Sequence, residues 1–272
     1  MLLPSFPHRW WTPLLTALRA ALSVLIDERC PMCGRSESKG EICPSCWFNI
    51  PYTHLRGASG NMLERLFWSE PMVQRVSAYA WYKPEYAISK VVHEFKYYGR
   101  KDLAQLMGEA MGRELLDSDF FEGVDALVPV PLSAQRLRKR GYNQSEYLAK
   151  GVAQATGLPL LTTAIARVVD NPSQTTLDPS QRRDNVRDIF AVVDADALAG
   201  RHIVVIDDVI TVGATLLSLL QTLRPVPHLR VSLLALCAAG RYHVGRLSPD
   251  DLHLSDATAD AQDHVVRKYH KP

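Results

Sequence analysis

The chain has 272 residues, with 31 basic against 29 acidic side chains, so a formal charge of +2 gives no whole-molecule attraction for nucleic acid, and any polyanion site has to be local. That length provides core for one large domain or two modest ones. Five cysteines, set as two tight pairs and a single, suit metal chemistry in a reducing compartment better than a disulfide framework, and a cytoplasmic location is expected.

The apolar run Leu14 to Ile26 is interrupted by Arg19 and lacks a small-residue cleavage site, so it reads as a packed helix behind Trp10 and Trp11 rather than as a signal segment. It is too short to span a bilayer, and no transmembrane segment is expected; contact with a membrane surface is the alternative. Next come Cys30-Pro-Met-Cys33 and Cys43-Pro-Ser-Cys46, two knuckles that each set two thiolates on one side of a tight turn. Four thiolates closing a tetrahedron suit structural zinc, with Cys30, Cys33, Cys43 and Cys46 as ligands and no open position for catalysis. Only nine residues separate Cys33 from Cys43, so the loop is compact, helped by Gly34 and Gly40. The alternative, a redox CxxC, normally opens a helix of a βαβ unit, and two neighbouring copies argue for a shared metal. Residues 1–60 are therefore expected to form an N-terminal helix and a four-cysteine zinc-ribbon domain.

From Pro51 to Pro71 the pattern is weak, with a short helix around Leu63 to Trp68. Val76 to Tyr82 reads as a strand. Pro84 opens a helix with Ile88, Val91, Val92 and Phe95 on one face, ending at Gly99, and a second helix runs from Lys101 to about Leu116. His93 and Lys96 fall on or beside the first of these and receive no role. Leu127 to Pro131 is a short strand ended by its prolines. The stretch RLRKRGYNQ then carries Arg136, Arg138, Lys139 and Arg140 within five residues, followed by Gly141, Tyr142, Asn143 and Gln144, before a helix from about Ser145 to Ala155. Cations in a loop beyond a strand end and close to a helix N-terminus suit a pyrophosphate; a solvated basic face is the alternative. From Arg167 to Phe190, turns at Asn171-Pro172 and Asp178-Pro179 and the polar residues Gln174, Thr175, Arg182, Arg183 and Asn185 predict a long loop. Loops of that length inside a domain are usually functional; a disordered insertion is the alternative.

The stretch IVVIDDVITVGATL, Ile203 to Leu216, is the most informative. Ile203 to Ile206 are four β-branched residues in a row, as in a strand buried on both faces of a parallel sheet. Asp207 and Asp208 close that strand, and Thr211, Gly213 and Thr215 lead into a helical pattern at Leu216, Leu219, Leu220 and Leu223. Ligands of open α/β sheets bind at that place. Backbone N–H groups, two threonine hydroxyls and a helix N-terminus make a cradle for a phosphate, while the carboxylates suit sugar hydroxyls or a divalent cation held through water. Neither GxxxxGK[ST] nor GxGxxG is present. A buried strand followed by an ordinary capped turn is the alternative. Val231 to Leu236 makes another buried strand with Cys237 as a small core residue at its end, and residues 241–272 are polar and aperiodic, an expected mobile tail.

VVIDDVITVGATL resembles the signature of type I phosphoribosyltransferases. The resemblance implies that Asp207 and Asp208 meet the ribose of phosphoribosyl pyrophosphate, and that Thr211, Val212, Gly213, Ala214 and Thr215 hold its 5-phosphate. It also implies that magnesium accompanies the ligand and that the loop from Arg167 is a hood whose arginines close over it. Val212 departs from a usual pair of threonines and removes one hydroxyl. PVPL...RLRKRGYNQ and the Arg182-x-x-Asn185 pattern further resemble the ComF family, competence-associated proteins in which a double-cysteine zinc ribbon precedes a phosphoribosyltransferase fold.

That resemblance covers roughly residues 25 to 240. It implies binding of phosphoribosyl pyrophosphate with magnesium, phosphoribosyl transfer to an acceptor that no residue names, and a link to DNA uptake in natural transformation. Handling of single-stranded DNA, or docking onto competence proteins, is a second implied role. A single-strand binder should interleave aromatics with its cations, and only Tyr142 accompanies the basic run. An acceptor pocket is expected beneath the hood near Tyr79 to Tyr82. Glutamine hydrolysis is not expected, because Met1-Leu2 offers no N-terminal cysteine nucleophile. The fold class expected is α/β, a type I phosphoribosyltransferase-like mostly parallel sheet with flanking helices over residues 75–240, preceded by a small four-cysteine zinc ribbon.

Overall fold

The computed structural model describes residues 29–36, 41–168 and 189–240. Contacts divide the chain after Ile50. In the first part the cysteine turns are closed by their own backbone, Gly34 N–H donating to the Cys30 carbonyl at 2.8 Å and Cys46 N–H to the Cys43 carbonyl at 2.9 Å. Helix α1, Pro44–Phe48, starts on a proline, whose missing N–H costs nothing in a first turn. The helix expected over Leu14 to Ile26, Gly40 and the tail 241–272 lie outside the described residues.

The second part is built on strands β1 (Val73–Tyr82), β2 (Ala126–Pro129), β3 (Ile165–Arg167), β4 (Phe190–Val192), β5 (His202–Ile210) and β6 (Arg230–Ala239). Four of them form a wholly parallel sheet in the order β1-β6-β5-β2, and β3 and β4 pair antiparallel by themselves. Parallel neighbours need long crossovers. These are supplied by helices α2 (Ala87–Tyr97), α3 (Lys101–Leu115), α4 (Ala134–Arg140), α5 (Gln144–Thr156) and α6 (Ala214–Leu223).

The strand sequences explain the layering. On one face Val76, Ala78, Ile203, Val205, Leu233 and Ala235 join Leu216, Leu219, Leu220 and Leu223 of α6 in one core cluster. The alternate residues Val204, Ile206, Leu234 and Leu236 are also buried, on the opposite face. There α3 packs on β1 and β6, and α5 on β5 and β2. With both faces covered, the strands can be apolar without interruption, which is the pattern Ile203 to Ile206 announced. Among the described residues no helix is long and apolar enough to cross a membrane.

Two features of this frame shape the carboxyl end of the sheet. First, β2 pairs with β5 only as far as Pro129 opposite Ile206, followed by one bond from Val130 N–H to the Ile206 carbonyl at 2.9 Å. Pro131 has no N–H to continue the ladder. Strand β5 runs on beside β6 to Ile210, so β2 and β5 part at Asp207 and leave a crevice. Second, α3 and α5 cross at glycines. A Cβ on Gly108 would overlap the Leu148 carbonyl, and one on Gly151 would overlap the Gln105 carbonyl and lie 2.5 Å from the Glu109 nitrogen. Backbone touches backbone there, which sets the depth of α5 in the layer.

The basic stretch differs from its expected loop: Ala134 to Arg140 is helix α4. The Ser133 hydroxyl accepts from Arg136 N–H at 3.3 Å at its start, and Gly141, at φ 80°, ends it. Arg, Lys, Leu and Gln are good helix formers, so once both ends are capped the charges do not prevent a helix. In an exposed helix, replacing glycine by alanine gains up to about 1 kcal/mol. Here the sign should reverse: Gly151→Ala is expected to lose about 1–3 kcal/mol by overpacking, measured as a lower chemical denaturation midpoint. An unchanged or raised midpoint would mean that the two helices are not in backbone contact.

Candidate functional site

The crevice between the ends of β2 and β5 is a cavity lined by Val130, Pro131 and Leu132 after β2, by Asp207, Asp208 and Val209 of β5, and by Gln144 and Ser145 at the start of α5. Four cations, Lys96, Arg136, Arg140 and Arg167, and the hydroxyl-bearing Thr215 complete it. Asp207 and Asp208 are 9% and 6% exposed. Neighbouring strand residues normally point to opposite faces, yet both carboxylates reach the same helix. Asp207 folds back to accept its neighbour's N–H at 2.8 Å and takes a bond from Ser145 Oγ at 3.2 Å. Asp208 accepts from Gln144 Nε2 at 2.7 Å and pairs with Lys96 Nζ at 3.2 Å.

Two buried carboxylates thus share one close ammonium. Burial, and then the charge of Asp208, hold the Asp207 carboxyl well above the usual carboxylate range, against the pull of the Asp208 N–H, Lys96 and Ser145. The positive end of α5 is the remaining source of compensation. Lys96, to which sequence reasoning gave no role, and Ser145, read only as a helix start, belong to this network. A lone lysine late in an amphipathic helix carries no signal of a buried partner.

The residues of the basic run separate by role. Arg136 and Arg140, one helical turn apart, line the cavity; Arg138 and Lys139 are exposed and do not. Arg140 donates to Gln144 Oε1 and lies 5.8 Å from the centre of the Tyr97 ring. Burial lowers its hold on its proton, opposed by the charge of Asp208. Gly141 is the left-handed C-cap of α4. Tyr142 is buried, its hydroxyl donating to the Phe95 carbonyl, so it ties the turn before α5 to α2 and does not line the cavity. Asn143 caps α5, accepting from Ser145 N–H at 3.1 Å, and its amide donates to the Val130 carbonyl at 3.0 Å, which fixes the mouth of the crevice.

After β5, Gly213 at φ 78° is the N-cap of α6, and a Cβ there would meet Phe67 Cζ at 3.0 Å, so glycine serves both conformation and packing. Thr211 and Val212 are half-buried, Ala214 and Thr215 exposed, and of the turn only Thr215 lines the cavity. Gln174, Thr175, Arg182, Arg183 and Asn185 lie outside the described residues, whose nearest flanks are the paired strands β3 and β4. Tyr79 to Tyr82, near which the acceptor is expected, do not line this cavity, and Tyr79 is buried with its ring edge-on to Tyr52 at 5.2 Å.

The sulfur atoms of Cys30, Cys33, Cys43 and Cys46 all lie within 4.8 Å of one another, with Cys33 and Cys43 at 3.8 Å. Four ligands about 2.3 Å from a tetrahedral zinc stand about 3.8 Å apart, so the cluster can hold a structural metal such as zinc. Burial raises the Cys30 thiol, but the backbone N–H groups of Cys43, Cys33 and Met32 outweigh it and bring it down to about 6, toward the thiolate a metal requires.

The strain on Asp207 has a sign. A carboxyl raised above its unfolded value favours the fold at low pH, and that contribution is lost as pH rises from near 3.8 through its folded pKa. Asp207→Asn, which keeps the acceptor for Ser145 and the Asp208 N–H, should therefore be more stable than the native chain at pH 8, by about 1–3 kcal/mol. The gap should close toward pH 4 in denaturant titrations. A variant less stable at pH 8 would contradict the uncompensated charge.

No family model matches the chain. Its sequence is similar to the DNA utilization protein YhgH of Escherichia coli K12, 28% identical over 198 residues, covering 71% of this chain and 83% of the relative. It is also similar to competence protein F of Haemophilus influenzae, 26% identical over 211 residues, covering 76% and 88%. Competence protein ComFC of Bacillus subtilis is 25% identical over 202 residues, covering 73% and 72%. Among solved structures, the allosteric regulatory enzyme of purine biosynthesis matches at 23% identity and a TM-score of 0.37, over 52% of this chain and 29% of that one. The glutamine phosphoribosylpyrophosphate amidotransferase of B. subtilis matches at 20% and 0.35, over 52% and 30%. The chain spans less than a third of the length of those two. A parallel α/β sheet following a four-cysteine cluster, with relatives that include competence protein F and ComFC, supports the resemblance of this chain to the ComF family.

Proposed function

We propose that the chain binds phosphoribosyl pyrophosphate with magnesium in the crevice between β2 and β5 and transfers its phosphoribosyl group to an acceptor. The observation that carries this reading is the meeting of Lys96, Arg136, Arg140 and Arg167 with the buried Asp207 and Asp208 around one cavity at the carboxyl ends of parallel strands. Asp207 and Asp208 meet the ribose, Thr215 and the turn from Thr211 hold the 5-phosphate, and Arg136 and Arg140 hold the pyrophosphate. The oxygens of Asp207 and Asp208 would hold a divalent cation, which would supply neutralisation of the leaving pyrophosphate. Departure of pyrophosphate from C1 of the ribose leaves a cationic sugar that a nucleophile captures, so no covalent protein nucleophile is needed. Arg182 and Arg183 are assigned to the same pyrophosphate, as the family resemblance implies. Zinc on the four cysteines is structural, and paired cysteines that serve a metal are in keeping with a cytoplasmic location.

A second reading is direct handling of single-stranded DNA within the competence machinery. It is favoured by the exposed cations Arg138 and Lys139 beside the cavity, and by the relatives' names, DNA utilization protein and competence protein.

Calorimetric titration of the zinc-loaded chain with phosphoribosyl pyrophosphate and magnesium tests the first reading. Micromolar-range binding, weakened at least about tenfold in an Asp207→Asn, Asp208→Asn variant, is expected. Absence of heat and of any thermal protection by the ligand removes the sugar-phosphate reading. Metal analysis should find one zinc per chain, released in Cys43→Ser; chain purified without metal and equally stable would remove the structural zinc.

A further inference from the structure

The sequence places only Tyr142 with the basic run, and Tyr142 is buried. The fold supplies other aromatics in its stead. Helix α2 delivers Lys96 to Asp208, and the next two residues, Tyr97 and Tyr98, end that helix at the surface, 49% and 59% exposed. Arg140 of the cavity wall lies 5.8 Å from the Tyr97 ring centre, so this ring adjoins the cationic rim. Behind both tyrosines stands His93, its ring 4.6 Å from Tyr97 and 5.5 Å from Tyr98. Two exposed rings propped on a third, next to a wall with four cations and two carboxylates, join an apolar step to a phosphate track.

We infer that Tyr97 and Tyr98 form a base-stacking step on the rim of the cavity, which takes unpaired bases of a single-stranded nucleic acid while Arg136, Arg138, Lys139 and Arg140 follow its phosphates. This rests on the second reading above and gives that reading the aromatic surface it lacked in the sequence. The charge argues for a strand: Arg138 and Lys139 are exposed and do not line the cavity, so a ligand confined to the cavity leaves them unused, whereas a backbone running along α4 engages them. The rings argue for an unpaired base, because a π-face accepts any base that is not already stacked in a duplex.

The test is fluorescence anisotropy of a short labelled thymidylate strand with the zinc-loaded full chain, repeated with a strand of equal length lacking its bases. The native chain should bind the thymidylate strand, and Tyr97→Ser, Tyr98→Ser should bind it roughly tenfold or more weakly. Tyr97→Phe, Tyr98→Phe should retain the affinity, since stacking needs the ring and not the hydroxyl. The base-free strand, which probes the native protein directly should the serine variant fold poorly, should bind the native chain about as weakly as the serine variant binds thymidylate. Equal binding of thymidylate and base-free strands by the native chain, or a duplex bound as tightly as the single strand, overturns the stacking step and leaves a phosphate-only nucleic-acid surface. Absence of any binding by the native chain overturns the nucleic-acid reading together with it, and leaves the sugar-phosphate reading to its own titration.

Discussion

The structure turns on two adjacent carboxylates that are forced to the same helix. Asp207 and Asp208 lie where β5 has lost β2 as a neighbour but still pairs with β6, so Asp207 can fold back onto its neighbour's N–H while Asp208 reaches Gln144 and Lys96. Beyond Lys96, what makes this tolerable comes from the N-terminus of α5: the dipole, the Gln144 amide and the Ser145 hydroxyl. The depth of α5 is set in turn by its glycine crossing with α3, and its entry by Asn143 bonded to Val130. A packing constraint remote from the cavity therefore decides the electrostatics within it.

Such an arrangement costs stability. A buried carboxyl that is undercompensated destabilises the fold at neutral pH, and natural chains retain such features where charge has to meet a ligand. The cations around the cavity do not remove the cost, because Lys96 sits close to Asp208 while Arg140 is turned to Gln144 and the Tyr97 ring. One cation pairs with Asp208 while the arginines line the rest of the same small space, which suits a ligand carrying both hydroxyls and phosphates.

Much of this was legible in the residues. The β-branched run Ile203 to Ile206 announced a strand buried on both faces, because only a covered parallel sheet lets apolar side chains occur without alternation. The two CxxC knuckles announced their cluster, since ligand spacing is local. The basic run was legible as a feature but not as a shape: charge carries little information about helix against loop, and the caps at Ser133 and Gly141 settled it. Lys96 and Tyr97 escaped notice because their meaning lies in contacts with β5 and α4, which no periodicity encodes. Tyr142 shows the converse, a tyrosine beside cations in sequence being directed into the core by the turn between α4 and α5.

What the site depends on is an Asp207 carboxyl held above its ordinary range by burial and the charge of Asp208. It is tested most directly by following the carboxyl carbon resonances of Asp207 and Asp208 in the labelled chain as pH is raised, with and without magnesium and phosphoribosyl pyrophosphate. The expected result is one resonance titrating well above the usual carboxylate range in the free protein and returning toward that range in the presence of the ligand. Two carboxyls that both titrate in the ordinary range without ligand would contradict it, and the crevice would then be an ordinary solvated strand end.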